Sequence, residues 1–106
     1  MTPRSTLTGI QFNCRSLNTG LVELKLLIYS KKPDFVALCE TWINVNSKYI
    51  PSFYNYCPVW KHRPTGTGGG LCILVKRGVQ YQELNLNEYQ NGLIEIQGIR
   101  LLAYDG

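Results

Sequence analysis

Two side chains of this sequence, Asn13 and Glu40, have the chemistry to share a divalent cation. Glu40 closes the stretch 33–42 (PDFVALCETW), in which five apolar residues, Phe35 to Cys39, run unbroken and stop at a carboxylate. Such a run, bounded by Pro33 and by polar residues, reads as a strand buried on both faces. Glu40 then sits at the carboxyl end of a core strand, where open α/β sheets tend to bind ligands. A buried carboxylate is costly unless it is paired, hydrogen-bonded or bound to metal. Asn13 lies near the carboxyl end of an earlier strand, and parallel pairing brings it beside Glu40. A carboxylate and a carboxamide, completed by water and phosphate oxygens, suit Mg²⁺. The plainer alternative has Glu40 capping a turn and Asn13 bonding local backbone.

The segment 61–70 (KHRPTGTGGG) is basic and then rich in glycine. It lacks the G-x-x-x-x-G-K-[ST] pattern of a phosphate loop and leads into a strand rather than a helix. Its glycines are therefore expected to let backbone pass closely. Lys61 and Arg63 are placed to touch a phosphodiester backbone, or else belong to a solvated loop. Trp42, Trp60 and the seven tyrosines offer stacking surfaces for bases, although most are expected in the core. His62 has no partner in any motif and is expected to be idle.

These residues need elements to hold them. Ile10, Phe12 and Cys14 alternate with Gln11, Asn13 and Arg15, the period of a half-buried strand. Asn18, Thr19 and Gly20 form a capping region, with Glu23 in the first turn of the helix that follows. Leu17, Leu21, Leu24 and Ile28 share one face of it. Lys31 and Lys32 suit its C-terminal end, and Pro33 stops it. Strand, helix and the 35–39 strand make a βαβ unit with parallel strands. Further strands are expected over 53–60, weakened by Pro58, over 71–75, and over 79–87 as an exposed strand. The segments 93–96 and 99–102, around Gln97-Gly98, are expected to form a hairpin. A layered α/β domain fits this order.

With 106 residues the chain has room for one domain. At 44% hydrophobic and 17% charged residues its composition is globular. Its longest apolar runs fall far short of the roughly 20 residues of a membrane-spanning helix, and residues 1–7 lack a signal peptide's apolar region. An intracellular location, nuclear or cytoplasmic, is the expectation. The four cysteines (Cys14, Cys39, Cys57, Cys72) show no C-x-x-C spacing and are expected to be reduced. A net charge of +4 is compatible with a phosphate-bearing partner without establishing one.

Several motifs then line up in one order. Residues 12–17 (FNCRSL) resemble the "NxRSL" opening of the endonuclease/exonuclease/phosphatase superfamily, particularly the endonucleases of non-LTR (LINE-type) retrotransposons. Residues 32–42 (KPDFVALCETW) resemble that family's "KPDIIALTETWL" segment, and 63–75 its "R…GRGGGVAILV" segment. Ala103-Tyr104 is similar to the strand that carries the family's active-site tyrosine. The resemblance spans 8–104 and implies a layered α/β sandwich of the DNase I-like type. It implies a Mg²⁺- or Mn²⁺-dependent phosphodiesterase that nicks DNA, working with a downstream reverse transcriptase domain. Glu40 would be a metal ligand, Asn13 would stand beside metal and scissile phosphate, and Tyr104 would orient the phosphate. Arg15, Lys61 and Arg63 would contact the DNA backbone.

The family continues with "YxPP", then an Asp-x-Asn and a Ser-Asp-His segment that supply further acidic ligands and the general base. This sequence has Asp105-Gly106 after Tyr104 and neither segment. Residues 8–106 thus correspond to the N-terminal half of the sandwich, after a short leader 1–7. Truncation of a gene model or decay of a mobile element would account for this, and negligible activity is expected of the chain alone. Two other readings stand beside it. One is a phospholipid or phosphoinositide phosphodiesterase of the same superfamily. The other is a non-catalytic remnant that only binds nucleic acid or a partner.

Overall fold

A computed structural model describes residues 6–44, 46–62, 68–89 and 95–102. Along the chain run β1 (Gly9–Asn13), α1 (Leu21–Lys31), β2 (Phe35–Cys39), β3 (Tyr56–Lys61), β4 (Leu71–Lys76), β5 (Tyr81–Glu83), a 3₁₀ turn (Asn87–Tyr89) and β6 (Ile99–Leu101). β1 to β4 form one mixed sheet in the order β1-β2-β4-β3, and β5 pairs with β6 in a second. β1 and β2 are parallel, as the βαβ pattern requires, with Asn13 opposite Cys39. β4 runs antiparallel to both β2 and β3.

One face of the large sheet carries α1. Leu24 and Ile28 of the helix pack with Val36, Leu38, Cys72 and Leu74 of the strands, and Leu17, Ile43, Phe53 and Tyr56 seal the edges. Burying side chains of this kind stabilises by about 1.5–3 kcal/mol each. The opposite face has a smaller core in which Val59, Ile73 and Val75 meet Val79, Tyr81 and Ile99 around the small sheet.

β2 is not buried on both faces. Val36 and Leu38 are buried, but Phe35, Ala37 and Cys39 are only half-buried. The small sheet lies over β3 and β4. Beside it a shallow depression of about 120 Å³, lined by Gln11, Ala37, Cys39, Leu71, Ile73 and Gln97 among others, stays open. β4 is the strand buried on both sides, with four consecutive buried residues, Cys72 to Val75. An apolar run alone does not tell which strand is covered on its second face; that depends on where the small sheet packs. The neighbouring edge strand, β1, likewise leaves Phe12 exposed although Ile10 and Cys14 reach the core.

Local signals hold better at one end of α1 than at the other. Lys32 takes a left-handed conformation (φ 50°, ψ 53°), and its N–H donates to the Ile28 carbonyl at 2.7 Å. Buried Pro33 follows, where it cannot continue the helix. At the N-terminus the cap residue is Gly20, and no side chain caps the helix. Thr19 Oγ1 instead donates to Ser16 Oγ at 3.2 Å. The expected 53–60 strand is β3, which starts at Tyr56 and leaves Phe53 as a buried plug. The long exposed strand over 79–87 shrinks to the three residues of β5.

The expected hairpin around Gln97-Gly98 does not form. Glu95 and Ile96 are not strand residues, and β6 pairs with β5, Tyr81 opposite Leu101. Gln97 makes a different connection, its amide Nε2 donating to the Val59 carbonyl at 2.6 Å and so tying this segment to β3. Residues 91–94 lie outside the described residues.

Candidate functional site

Asn13 ends β1 and Glu40 follows β2 by one residue, at the same end of the sheet. Neighbouring strands lie about 4.8 Å apart, so the Asn13–Cys39 register puts the two backbones side by side where the strands stop. The ladder then continues into the loops. Cys14 N–H donates to the Cys39 carbonyl at 2.9 Å, Ser16 N–H to that of Glu40 at 3.0 Å, and Leu17 N–H to that of Thr41 at 2.9 Å. From the other side Thr41 N–H donates to the Gly70 carbonyl at 3.2 Å and Trp42 N–H to that of Gly69 at 2.8 Å. Three segments distant in sequence are therefore fastened to one another around Glu40.

The backbone here is unusual. Arg15 (φ 47°), Ser16 (82°), Glu40 (51°) and Trp42 (59°) all occupy the left-handed region, and only two other described non-glycine residues do. Each such residue costs about 1–3 kcal/mol, and strain of this kind clusters at functional sites. Gly68, Gly69 and Gly70 add three more positive φ angles on the facing loop. Gly70 is the tightest point. A Cβ there would collide with the Thr41 Oγ1 and come within 3.2 Å of the Ile43 carbonyl oxygen. The glycine run thus does what its composition suggested, letting backbone pass closely at the mouth of the site.

The expectation that Glu40 is a buried carboxylate is not met, because the residue is half-exposed. The residue after it is the buried one: Thr41 is 1% exposed, and its Oγ1 accepts the Ile43 N–H at 3.3 Å. Asn13 is exposed. Burial pushes the Cys14 thiol up to about 11, with Cys39 and the Glu40 carboxylate adding to the shift. That thiol stays protonated at neutral pH and is a packing group, not a nucleophile.

Lys61, at the end of β3, pairs with Leu71 and so lies at this same end of the sheet. Arg15, on the strained loop after β1, is exposed here as well. Arg63 and Tyr104 lie outside the described residues. His62 is half-buried: its ring lies 5.2 Å from that of Trp60, and its Nδ1 is buried without a hydrogen-bond partner among the described residues. Among the described tryptophans and tyrosines, Tyr56 is buried and Trp60 and Tyr81 pack partly buried against the cores, whereas Trp42, Tyr29, Tyr49, Tyr54 and Tyr89 are exposed, contrary to expectation.

Glu95 has a part that no motif pointed to. Its carboxylate accepts the Gly70 N–H at 3.0 and 3.2 Å, anchoring the glycine loop from the segment before β6. For Thr41 a signal did exist, since a small hydroxyl residue follows the strand opposite the glycine run. For Glu95 there was none, because the contact joins residues 25 apart across a loop.

Among the described residues no three His, Cys, Asp or Glu side chains gather into a metal cluster. The pair that is present still suits a hard cation: a half-exposed carboxylate and an exposed carboxamide on adjacent strand ends, both oxygen donors open to water. Glu40 and Asn13 are the residues that would hold Mg²⁺ or Mn²⁺. Such an ion neutralises charge on a phosphoryl group and makes bound water more acidic.

Residues 10–104 match the Endonuclease/Exonuclease/phosphatase family, and the chain belongs to that family, whose members are hydrolases acting on phosphodiester bonds. Among solved structures, the crystal structure of the AP endonuclease LMAP from Leishmania major is similar, with a TM-score of 0.65 at 17% identity. The match covers 97% of this chain and 40% of that one, and it shows the fold to be DNase I-like. No curated protein matches the sequence significantly. No helix among the described residues is long and apolar enough to cross a membrane.

Proposed function

We propose that residues 8–106 form part of a divalent-metal-dependent endonuclease domain that nicks DNA, of the type carried by non-LTR retrotransposons beside a reverse transcriptase. The observation that carries this reading is the parallel register of β1 and β2, with Asn13 opposite Cys39, so that Asn13 and Glu40 fall at the same strained, tightly laced end of the sheet. Glu40 and Asn13 supply metal ligands, and Arg15, Lys61 and Arg63 contact the phosphodiester backbone. Tyr104 orients the scissile phosphate. The order of the FNCRSL, KPDFVALCETW and glycine-rich motifs supports the retrotransposon type. The AP endonuclease neighbour supports DNA as substrate.

The sequence holds no Asp-x-Asn or Ser-Asp-His segment, so the 106-residue protein is expected to nick supercoiled plasmid no faster than background in Mg²⁺ or Mn²⁺. Mn²⁺ is nevertheless expected to broaden the NMR amide signals around Asn13 and Glu40, and Glu40→Gln to abolish the broadening. Robust nicking that vanishes in Glu40→Ala refutes the expected inactivity. Broadening that survives Glu40→Gln refutes the ligand assignment. Salt-dependent DNA binding that ignores both the metal and Glu40→Ala points to the non-catalytic binder.

A further inference from the structure

The opposite end of the large sheet has a pocket that the proposed chemistry does not use. It has a volume of about 340 Å³ and is lined by Ile28, Tyr29, Lys32, Tyr54, Asn55, Tyr56 and Lys76, within the range of sites that hold small ligands. Asp34, at this end, and Glu40 are six residue steps apart, or about 20 Å of strand. It is thus a separate place on the molecule.

Its walls combine rings with cations. Tyr54 is 83% exposed, so its ring has a face open to a ligand. Tyr29 is held in place because its hydroxyl oxygen accepts the Tyr54 N–H at 2.9 Å. At the back the buried Tyr56 hydroxyl donates to the Pro33 carbonyl at 2.6 Å, which closes that side. Lys76 Nζ donates to the Lys32 carbonyl at 3.5 Å, the outer limit of a hydrogen bond, and keeps further N–H donors to offer. Lys31 and Arg77 stand on either side in sequence.

Two negative features face the same region. One is the C-terminal end of α1, worth about half a charge. The other is Asp34, which is buried and whose Oδ2 accepts the Thr8 N–H at 2.8 Å. The cations Lys31, Lys32, Lys76 and Arg77 exceed them, which leaves this end positive. An apolar slot with an open tyrosine face and two ammonium groups at its rim fits a flat ring that bears an anion.

We infer that this pocket binds a nucleotide, its base stacked on Tyr54 and Tyr29 and its phosphate held by Lys32 and Lys76. The nucleotide comes either free or as one unit of a single strand, since base stacking and phosphate contact are common to both.

The test is titration of the 106-residue protein with AMP, adenosine, ribose 5-phosphate and oligo(dT) of increasing length, followed by calorimetry and by NMR amide shifts. AMP is expected to bind at least about tenfold tighter than adenosine or ribose 5-phosphate, because each lacks one of the two anchors. The shifts are expected at Tyr29, Tyr54, Asn55 and Lys76. Tyr54→Ala, at a site too exposed to matter for folding, is expected to weaken AMP about 5- to 150-fold, the range for one stacked base. Lys76→Gln is expected to weaken AMP and leave adenosine unchanged. Affinity that grows with oligo(dT) length identifies a strand as the occupant, and affinity that does not identifies a free nucleotide. Equal binding of AMP and adenosine, full affinity in Tyr54→Ala, or shifts confined to Asn13 and Glu40 would overturn the inference.

Discussion

Replacing Gly70 by alanine puts the architecture of the candidate site to a direct test. At φ +89° an L-residue is strained by about 1–3 kcal/mol before any contact is considered. The new Cβ also collides with Thr41 Oγ1 and falls 3.2 Å from the Ile43 carbonyl oxygen. Both partners lie on buried residues, and overpacking of this kind costs about 1–3 kcal/mol. If Thr41 rotates away instead, its hydrogen bond from the Ile43 N–H is lost, at about 1 kcal/mol. Gly70→Ala should therefore destabilise by about 3–5 kcal/mol, a large share of the roughly 5–15 kcal/mol that holds a small domain together. The measurement is urea unfolding of the wild type, Gly70→Ala, Thr41→Ala and the double variant. Thr41→Ala removes the obstructing oxygen and leaves the φ strain, so the double variant should be about 1 kcal/mol or more stabler than additivity requires. A cost for Gly70→Ala within about 0.5 kcal/mol, the scale of an indifferent surface change, or a strictly additive double variant would refute the close approach of the two loops.

Other consequences are equally accessible. Burial pushes the Cys72 thiol up to about 12 and the Cys14 thiol up to about 11, from an ordinary value of 9.0. Above pH 9 the unfolded chain releases these protons while the folded chain keeps them. Stability should accordingly be intact below pH 9 and fall as pH rises through 11 and 12; urea midpoints across pH 8–12 should show the decline, and Cys72→Ala should flatten it. Ile28 is fully buried in the main core, so Ile28→Ala should cost about 2–5 kcal/mol in the same unfolding assay. An unchanged midpoint would mean that α1 does not pack on the sheet as described.

Much of the framework was legible in local patterns. Apolar spacing and Pro33 placed α1, and a helix between two apolar segments implied parallel β1 and β2. That register in turn put Asn13 and Glu40 at the same end of the sheet, since a βαβ unit leaves two carboxyl ends together. Other features depended on where strands sit in the sheet. The runs 35–39 and 71–75 look equally apolar and each strand has a neighbour on either side, yet among the described residues only β4 is covered on both faces, because the small sheet lies over it. Likewise Ile99–Leu101 joined Tyr81–Glu83 instead of folding back on its neighbour, as Gln97 was already bound to Val59.

At the site itself, the sequence by itself determined which residue types reach one end of the sheet: a carboxamide, a carboxylate and a glycine run, carried there by strand direction. Tertiary structure decided the rest. It left Glu40 half-exposed, buried Thr41 in its place, and set Arg15, Ser16, Glu40 and Trp42 in left-handed backbone. It also brought Glu95 onto the Gly70 N–H. The physical reason is that pattern and propensity act over a few neighbouring residues, whereas a strained loop is kept in place only by hydrogen bonds from segments far along the chain.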